Sequence, residues 1–253
     1  MKLQQLLSYT RRAVDDYQMI ESNDKIAIGI SGGKDSLTLL YALSGLRRFY
    51  PAPFDIVAIT VDLGLEGFDL SEIEKLCEAL DVPYHIVHTE IGHIIFDERK
   101  EKNPCSLCAK MRKGAFNQKA KELGCNKIAY GHHRDYLVET MLLSLLFEGQ
   151  FYSFSPKTYL ERMDITLIRP LLYVKEADVI GFKNKYHLPV VKSPCPANGY
   201  TKREYVKELS HRLNCEHPGA TERMFSAVIH GDIKGWPKRV EHLQDSEQNN
   251  MAE

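Results

Sequence analysis

Hydrophobic positions along this chain follow two rhythms that take turns. Lys25–Ile30, Asp55–Val61, Tyr84–Val87 and Asn126–Tyr130 read as short strands, and the continuous apolar run Asp55–Val61 has the character of one covered on both faces. Between them apolar residues recur at helical spacing. The periodicity predicts helices over Leu3–Ile20 (with Leu3, Leu6, Leu7, Val14 and Tyr17 among the apolar positions), Ser36–Phe49, Asp69–Leu80, Cys108–Leu123 and Asp135–Phe147. Pro51 and Pro53 stop the second of these, and Gly124 and Gly149 follow the last two. Thr166–Ile168 begins another extended run. From about residue 175 the pattern turns helical, over Lys175–Tyr186, Thr201–Asn214 and Thr221–Ile229, interrupted by Pro189, Pro194 and Pro196. Asp97–Lys102 reads as irregular and charged, and Gln244–Asn250 is polar enough to predict disorder. No internal repeat is visible.

Strands alternating with helices predict an α/β fold: a doubly wound, mostly parallel sheet with helical N- and C-terminal extensions. The expected division is a helical segment at 1–24, an α/β domain at 25–174, a helical region at 175–240 and a disordered tail at 241–253. Ligands of such sheets bind beyond the carboxyl ends of the strands. Three of those ends carry polar residues or glycine: Ser31-Gly32-Gly33, Asp62 and Gly131-His132-His133. They predict a single cleft.

The totals exclude more than they select. The chain has 253 residues, 33 basic against 34 acidic side chains, and a formal net charge of −1. Any contact with nucleic acid therefore rests on local basic patches, not on a global field. No apolar run reaches the ~18 residues of a membrane span, and Met1–Gln5 lacks the apolar stretch of a secretory signal. The expectation is a cytoplasmic protein without membrane contact. Six cysteines in a chain of this size argue for thiol chemistry or metal binding over a disulfide scaffold.

The most informative stretch is Ile26–Ser36, where an apolar strand runs into Ser31-Gly32-Gly33-Lys34-Asp35-Ser36 and then a helix. N–H groups left open at a helix start, beside small residues, suit a phosphate. Lys34 adds a cation, and Ser31 and Ser36 add hydroxyls. Neither the Walker A spacing nor the dinucleotide Gly-x-Gly-x-x-Gly is present. The plain alternative is an ordinary glycine-containing turn. The full hexapeptide resembles the PP-loop of the ATP pyrophosphatases, which cleave ATP to AMP and pyrophosphate while activating a carbonyl oxygen. That resemblance puts the pyrophosphate half of ATP here and gives Asp35 a part in holding Mg2+.

Cys105-Ser106-Leu107-Cys108 brings two thiols to one point across a helical turn. The pair is compatible with a redox dithiol, half of a zinc site, or part of an iron–sulfur site. Cys195, between Pro194 and Pro196, is the best third ligand, because flanking prolines hold the backbone extended. Cys77 falls on the apolar stripe of its helix and reads as core, and Cys125 and Cys215 read as structural. Three thiolates leave one iron of a four-iron cluster open to an exogenous sulfur. A Cys₃His zinc site, completed by His93, His132, His133 or His187, is the rival.

Taken in order, the PP-loop, the Cys105/Cys108 pair with its basic helix, Gly131-His132-His133-Arg134-Asp135, Ile168-Arg169-Pro170-Leu171, Cys195 and Met224-Phe225-Ser226-Ala227 resemble the tRNA 2-thiocytidine synthetase family over roughly residues 1 to 230. The resemblance implies an adenine nucleotide alpha hydrolase-like fold and an ATP-dependent sulfurtransferase carrying a 4Fe–4S cluster. It implies that the carbonyl at carbon 2 of a tRNA cytidine (cytidine 32, in the anticodon loop) is adenylated and its oxygen replaced by sulfur. By position, Cys105, Cys108 and Cys195 would be the cluster ligands, and Ser31, Gly32, Gly33, Lys34, Asp35 and Ser36 would hold pyrophosphate. Gly131 would lie near the nucleotide, and Arg112 and Asp135 would be catalytic. The implied partners are tRNA and a sulfur donor such as a cysteine desulfurase or inorganic sulfide, with a homodimer left open.

Two positions depart from the family pattern. Asp135 is followed by Tyr136 where the family has a second Asp, and a phenol with pKa near ~10 supplies no carboxylate charge at neutral pH. Either Asp135 or Glu139 takes that role, or the chemistry differs. Many relatives also carry a second Cys-x-x-Cys where Cys195 stands alone. The alternatives are a PP-loop enzyme acting on another substrate, or an ATP- and cluster-binding protein whose turnover Tyr136 impairs.

Overall fold

A computed structural model describes residues 1–99, 104–191, 195 and 202–231. Part of the charged stretch (100–102) and the polar C-terminal run (244–250) lie outside the described residues.

The unbroken apolar runs have a direct cause: both faces of the sheet are covered. In β1 (Asp24–Gly29) Ile26 and Ile28 enter one core and Ala27 the other. In β2 (Phe54–Asp62) Ile56 and Ala58 alternate in the same way with Val57, Ile59 and Val61. The period of two is intact, but each face is apolar. With β3 (Tyr84–His88), β4 (Lys127–Ala129), β5 (Lys157–Leu160) and β6 (Ile165–Ile168) the sheet runs β3-β2-β1-β4-β6-β5. All neighbours are parallel except β5 with β6. The order reverses between β1 and β4, the position at which an open α/β sheet forms its ligand crevice.

The larger core gathers α1 (Leu3–Asp16), α2 (Lys34–Arg47), α3 (Ser71–Ala79), α6 (Arg134–Phe147), α7 (Glu176–Lys185) and α9 (Ala220–His230). Val179, Phe182, Phe225 and Val228 bring the C-terminal helices into it, and Phe182 meets Tyr41 of α2 edge-on at 5.6 Å. The opposite face is covered by the short α4 (Ile91–His93), the π-turn Ile94–Glu98 that continues it, and α5 (Pro104–Glu122). The remaining helix, α8 (Lys202–Glu216), buries Val206.

Three local differences from the sequence expectation have physical reasons. The first helix stops at Asp16, because Gln18 takes φ +46° and the chain folds back while Met19 and Ile20 stay buried. The Cys105 helix begins at Pro104, where a residue lacking N–H costs nothing, so both thiols sit near its start. Strand β5 was not expected: Lys157-Thr158-Tyr159-Leu160 is a half-exposed edge strand with no apolar run to announce it.

Candidate functional site

At the end of β1 the chain passes through Ile30 into a loop that is already organised. Ser36 Oγ accepts the Ser31 N–H at 3.2 Å and donates to the Gly33 carbonyl at 3.0 Å. Gly32 has φ +81°, a conformation that favours glycine, and its carbonyl accepts the Val191 N–H at 3.0 Å. Gly33 is the N-cap of α2 and no side chain caps that helix, so its first N–H groups remain open for an anion. The loop after β4 lies directly against this turn. A Cβ on Gly131 would come within 2.7 Å of the Asp35 carbonyl oxygen, so Gly131 is needed for the contact between the two loops.

Between these loops lies a cavity of 440 Å³. Ser31, Asp35 and Ser36 line it from the PP-loop, Arg112 and Lys113 from α5, and Gly131, His132 and Tyr136 from the other side. A second chamber of 250 Å³ shares Ser31 and Arg112 and adds Gly33, Asp62, Phe68 and Val191. Arg112 therefore stands between two compartments that meet at the PP-loop. Asp35 Oδ1 is buried and accepts no hydrogen bond, and the Lys34 ammonium stands 3.1 Å from it, so the oxygen is an anionic group already facing a cation.

The Cys105 and Cys108 thiols precede Arg112 on α5. Burial raises the Cys108 pKa, Arg112 lowers it, and Cys195 and Cys105 raise it further. Cys108 thus lies within electrostatic reach of Cys105, Cys195 and Arg112. They are not drawn together at ligating distance: among the described residues no group of three His, Cys, Asp or Glu side chains is placed to hold a metal ion. The donor chemistry suits iron or zinc. Cys77 and Cys125 are buried, as expected of structural thiols, whereas Cys215 is exposed on α8.

Two expected site residues lie elsewhere. Asp135 lines neither PP-loop chamber; its Oδ2 accepts the Glu176 N–H at the start of α7 at 2.7 Å. It faces a separate polar cavity of 430 Å³ among α6, α7, α8 and α9, with Glu139, Glu176 and Lys207. Lys34 also lines neither chamber, and its Nζ lies 3.1 Å from Glu176. Position in a motif did not reveal these directions.

Motif reading also missed the group that shapes the far wall. His132 Nδ1 accepts from Arg169 Nε at 3.0 Å, and burial with that neighbouring guanidinium pushes the imidazole down to about 3, so it is neutral at physiological pH. Tyr136 stacks on His132 at 4.7 Å with planes 6° apart, and the Arg203 guanidinium lies 4.0 Å from the Tyr136 ring centre. His133 Nδ1 accepts the Tyr136 N–H and caps α6. His93 pairs with Asp97, and His187 is exposed with φ +51°, so the histidines weighed for zinc have other partners or positions.

Against known proteins, the PP-loop domain family matches residues 4–212. A tRNA-cytidine(32) 2-sulfurtransferase of Geobacter sulfurreducens is 38% identical over 220 residues, 86% of each chain. The protein of the same name from Geobacter metallireducens is 36% identical over 245 residues, covering 96% of this chain and 93% of its own. Among solved structures, the U34-tRNA thiolase NcsA of Methanococcus maripaludis, with its [4Fe-4S] cluster, is similar in fold: TM-score 0.72 at 24% identity, over 98% of this chain and 87% of that one. With the loop, the cleft and the order of motifs all in place, the chain belongs to the tRNA-cytidine(32) 2-sulfurtransferase family of PP-loop proteins.

Proposed function

We propose that the chain is an ATP-dependent tRNA 2-sulfurtransferase acting on cytidine 32. The observation that carries this reading is the position of α5, which holds Cys105 and Cys108 near its start and, one turn after Cys108, places Arg112 in both chambers beside Ser31. The triphosphate lies at the start of α2, in the turn Ser31–Ser36, where the first N–H groups of the helix are open, and Asp35 would hold Mg2+ once Lys34 turns to a phosphate. Gly131 keeps the second loop against that site. The cytosine carbonyl oxygen attacks the α-phosphorus, pyrophosphate leaves, and Arg112 stabilises charge on the oxygens that gain it. Neutral His132 and the Tyr136 ring offer a flat wall for a base.

Cys105, Cys108 and Cys195 are the proposed ligands of a 4Fe–4S cluster. When bound, the cluster supplies the sulfur that displaces AMP from carbon 2. Asp135 enters as a positioning residue, since its carboxylate holds α7 and stands 3.8 Å from His133. We also propose a cysteine desulfurase or inorganic sulfide as sulfur donor, a cytoplasmic setting where tRNA and reduced thiols coexist, and a homodimer. Among the described residues no helix is long and apolar enough to cross a membrane.

The test is release of AMP and pyrophosphate by anaerobically purified protein. Release should depend on tRNA, and Arg112→Ala should lower it roughly 100-fold. Equal release with and without tRNA would count against an RNA substrate.

A further inference from the structure

Lys34 opens α2, yet its ammonium is turned away from both PP-loop chambers. It lies 3.1 Å from Asp35 Oδ1 and 3.1 Å from Glu176 Oε1. The same Glu176 oxygen takes Lys207 Nζ of α8 at 2.7 Å. One carboxylate oxygen therefore serves two ammonium groups from different elements. The Glu176 side chain is only 15% exposed, and its own N–H is fixed by Asp135. It cannot follow a departing lysine. A carboxylate stranded there would carry the cost of an unpaired, largely buried charge. Lys207 removes that cost, because Glu176 keeps a partner whether Lys34 is present or not. Although burial pushes the Glu176 carboxyl up, Lys207 and Lys34 hold it below its ordinary value.

We propose that Glu176 is a positioning residue that parks the Lys34 ammonium outside the nucleotide cleft, and that Lys207 takes over Glu176 when Lys34 turns to a phosphate. This rests on the reading of the PP-loop as an ATP site. It makes nucleotide binding a trade between partners, and it couples the PP-loop to the helix that begins soon after Cys195.

The two lysines compete for one oxygen, so the variants should act in opposite directions. Binding of the magnesium complex of α,β-methylene-ATP to the full chain is to be measured by calorimetry. Glu176→Gln should tighten it roughly fivefold, because Lys34 is then held by Asp35 alone, at the edge of the cleft. Lys207→Met should weaken it by about the same factor, because Glu176 then grips Lys34 alone. In the double variant the Lys207 effect should vanish. Lys207 has a side chain 44% exposed, so its variant keeps the fold, and the tightening by Glu176→Gln is the sign that general damage cannot give. Both variants weakening binding, as general damage would, overturns the inference; so does binding unchanged by either. Failure of the native chain to bind the analogue at all would overturn the ATP reading as well.

Discussion

Gly131 and Glu139 show how single residues here are set by what surrounds them. Gly131→Ala would drive a methyl group to 2.7 Å from the Asp35 carbonyl oxygen and 3.1 Å from the Ser36 nitrogen, both backbone atoms of the PP-loop. One loop must give way. The expected cost is about 1–3 kcal/mol in unfolding free energy together with weaker ATP binding, read by denaturant titration and calorimetry. An Ala variant as stable as the native chain would show that the loops are not in contact. Glu139 is buried on α6, with Arg203 at 3.7 Å, and burial raises its pKa from 4.5 to about 7. Between those values the folded chain holds a proton that the unfolded chain has released. This residue's contribution to stability therefore falls as pH rises through the window. His132 acts in the opposite sense: the folded chain refuses a proton that the unfolded chain takes below pH 6.5, so its contribution is lost as pH falls. Comparing the native chain with Glu139→Gln isolates the first effect. From pH 5 to pH 8 the native chain should lose roughly 1–3 kcal/mol relative to the variant, and parallel profiles would contradict the burial of a proton at Glu139.

Among the elements, those with a strong repeating pattern were legible and those built by their neighbours were not. The runs around Ile26–Ile28 and Ile56–Val61 announce strands because helices cover both faces, and the PP-loop announces itself through a rare hexapeptide. The edge strand β5 leaves no such trace, since its side chains are only half buried and its partner alone makes it a strand. The candidate site divides in the same way. Ser31, Asp35, Ser36, Gly131 and Arg112 meet where the motifs placed them, because strand ends converge at the β1/β4 switch point. Asp135 and Lys34 did not, because a motif fixes where a residue sits on a helix and not which neighbour its side chain finds. The neighbour in both cases is Glu176, which is 142 residues beyond Lys34 and 41 beyond Asp135 and has no local signal. Arg169 belongs to a visible motif, but its partners are not legible there. It ends the β6 region, bonds His132 at 3.0 Å, donates to the Ser155 carbonyl and reaches Thr158 of β5 at 3.4 Å. A lysine has no planar fork with which to hold these groups together. Arg169→Lys should lower stability by about 1–3 kcal/mol, read as a drop in melting temperature, while burial keeps the His132 imidazole depressed. An unchanged melting temperature would show that Arg169 does not hold the wall.

Across the whole molecule, α5 is the helix that carries both the Cys105/Cys108 pair and a side chain of the PP-loop cavity, Arg112. Cys105 and Cys108 sit near its start, Arg112 follows one turn on, and Phe116 packs on Tyr130 at the end of β4 with ring centres 5.6 Å apart. A turn of helix rises ~5.4 Å, so Cys108 stands about that far along α5 from Arg112, which lines the cavity beside the PP-loop. Cys195 lies within electrostatic reach of Cys108, and Val191, four residues before it, is hydrogen-bonded to Gly32. The central claim is that these three thiols and the ATP cleft act on one base. It is tested most directly by mass spectrometry of nucleosides from unmodified tRNA incubated anaerobically with MgATP, sulfide and either the native chain or Cys195→Ala. The native chain should convert cytidine 32 to 2-thiocytidine and release AMP, while Cys195→Ala should form no 2-thiocytidine and lose the visible absorbance of an iron–sulfur cluster. Equal 2-thiocytidine from both proteins, or a colourless anaerobic native protein containing stoichiometric zinc, would contradict it.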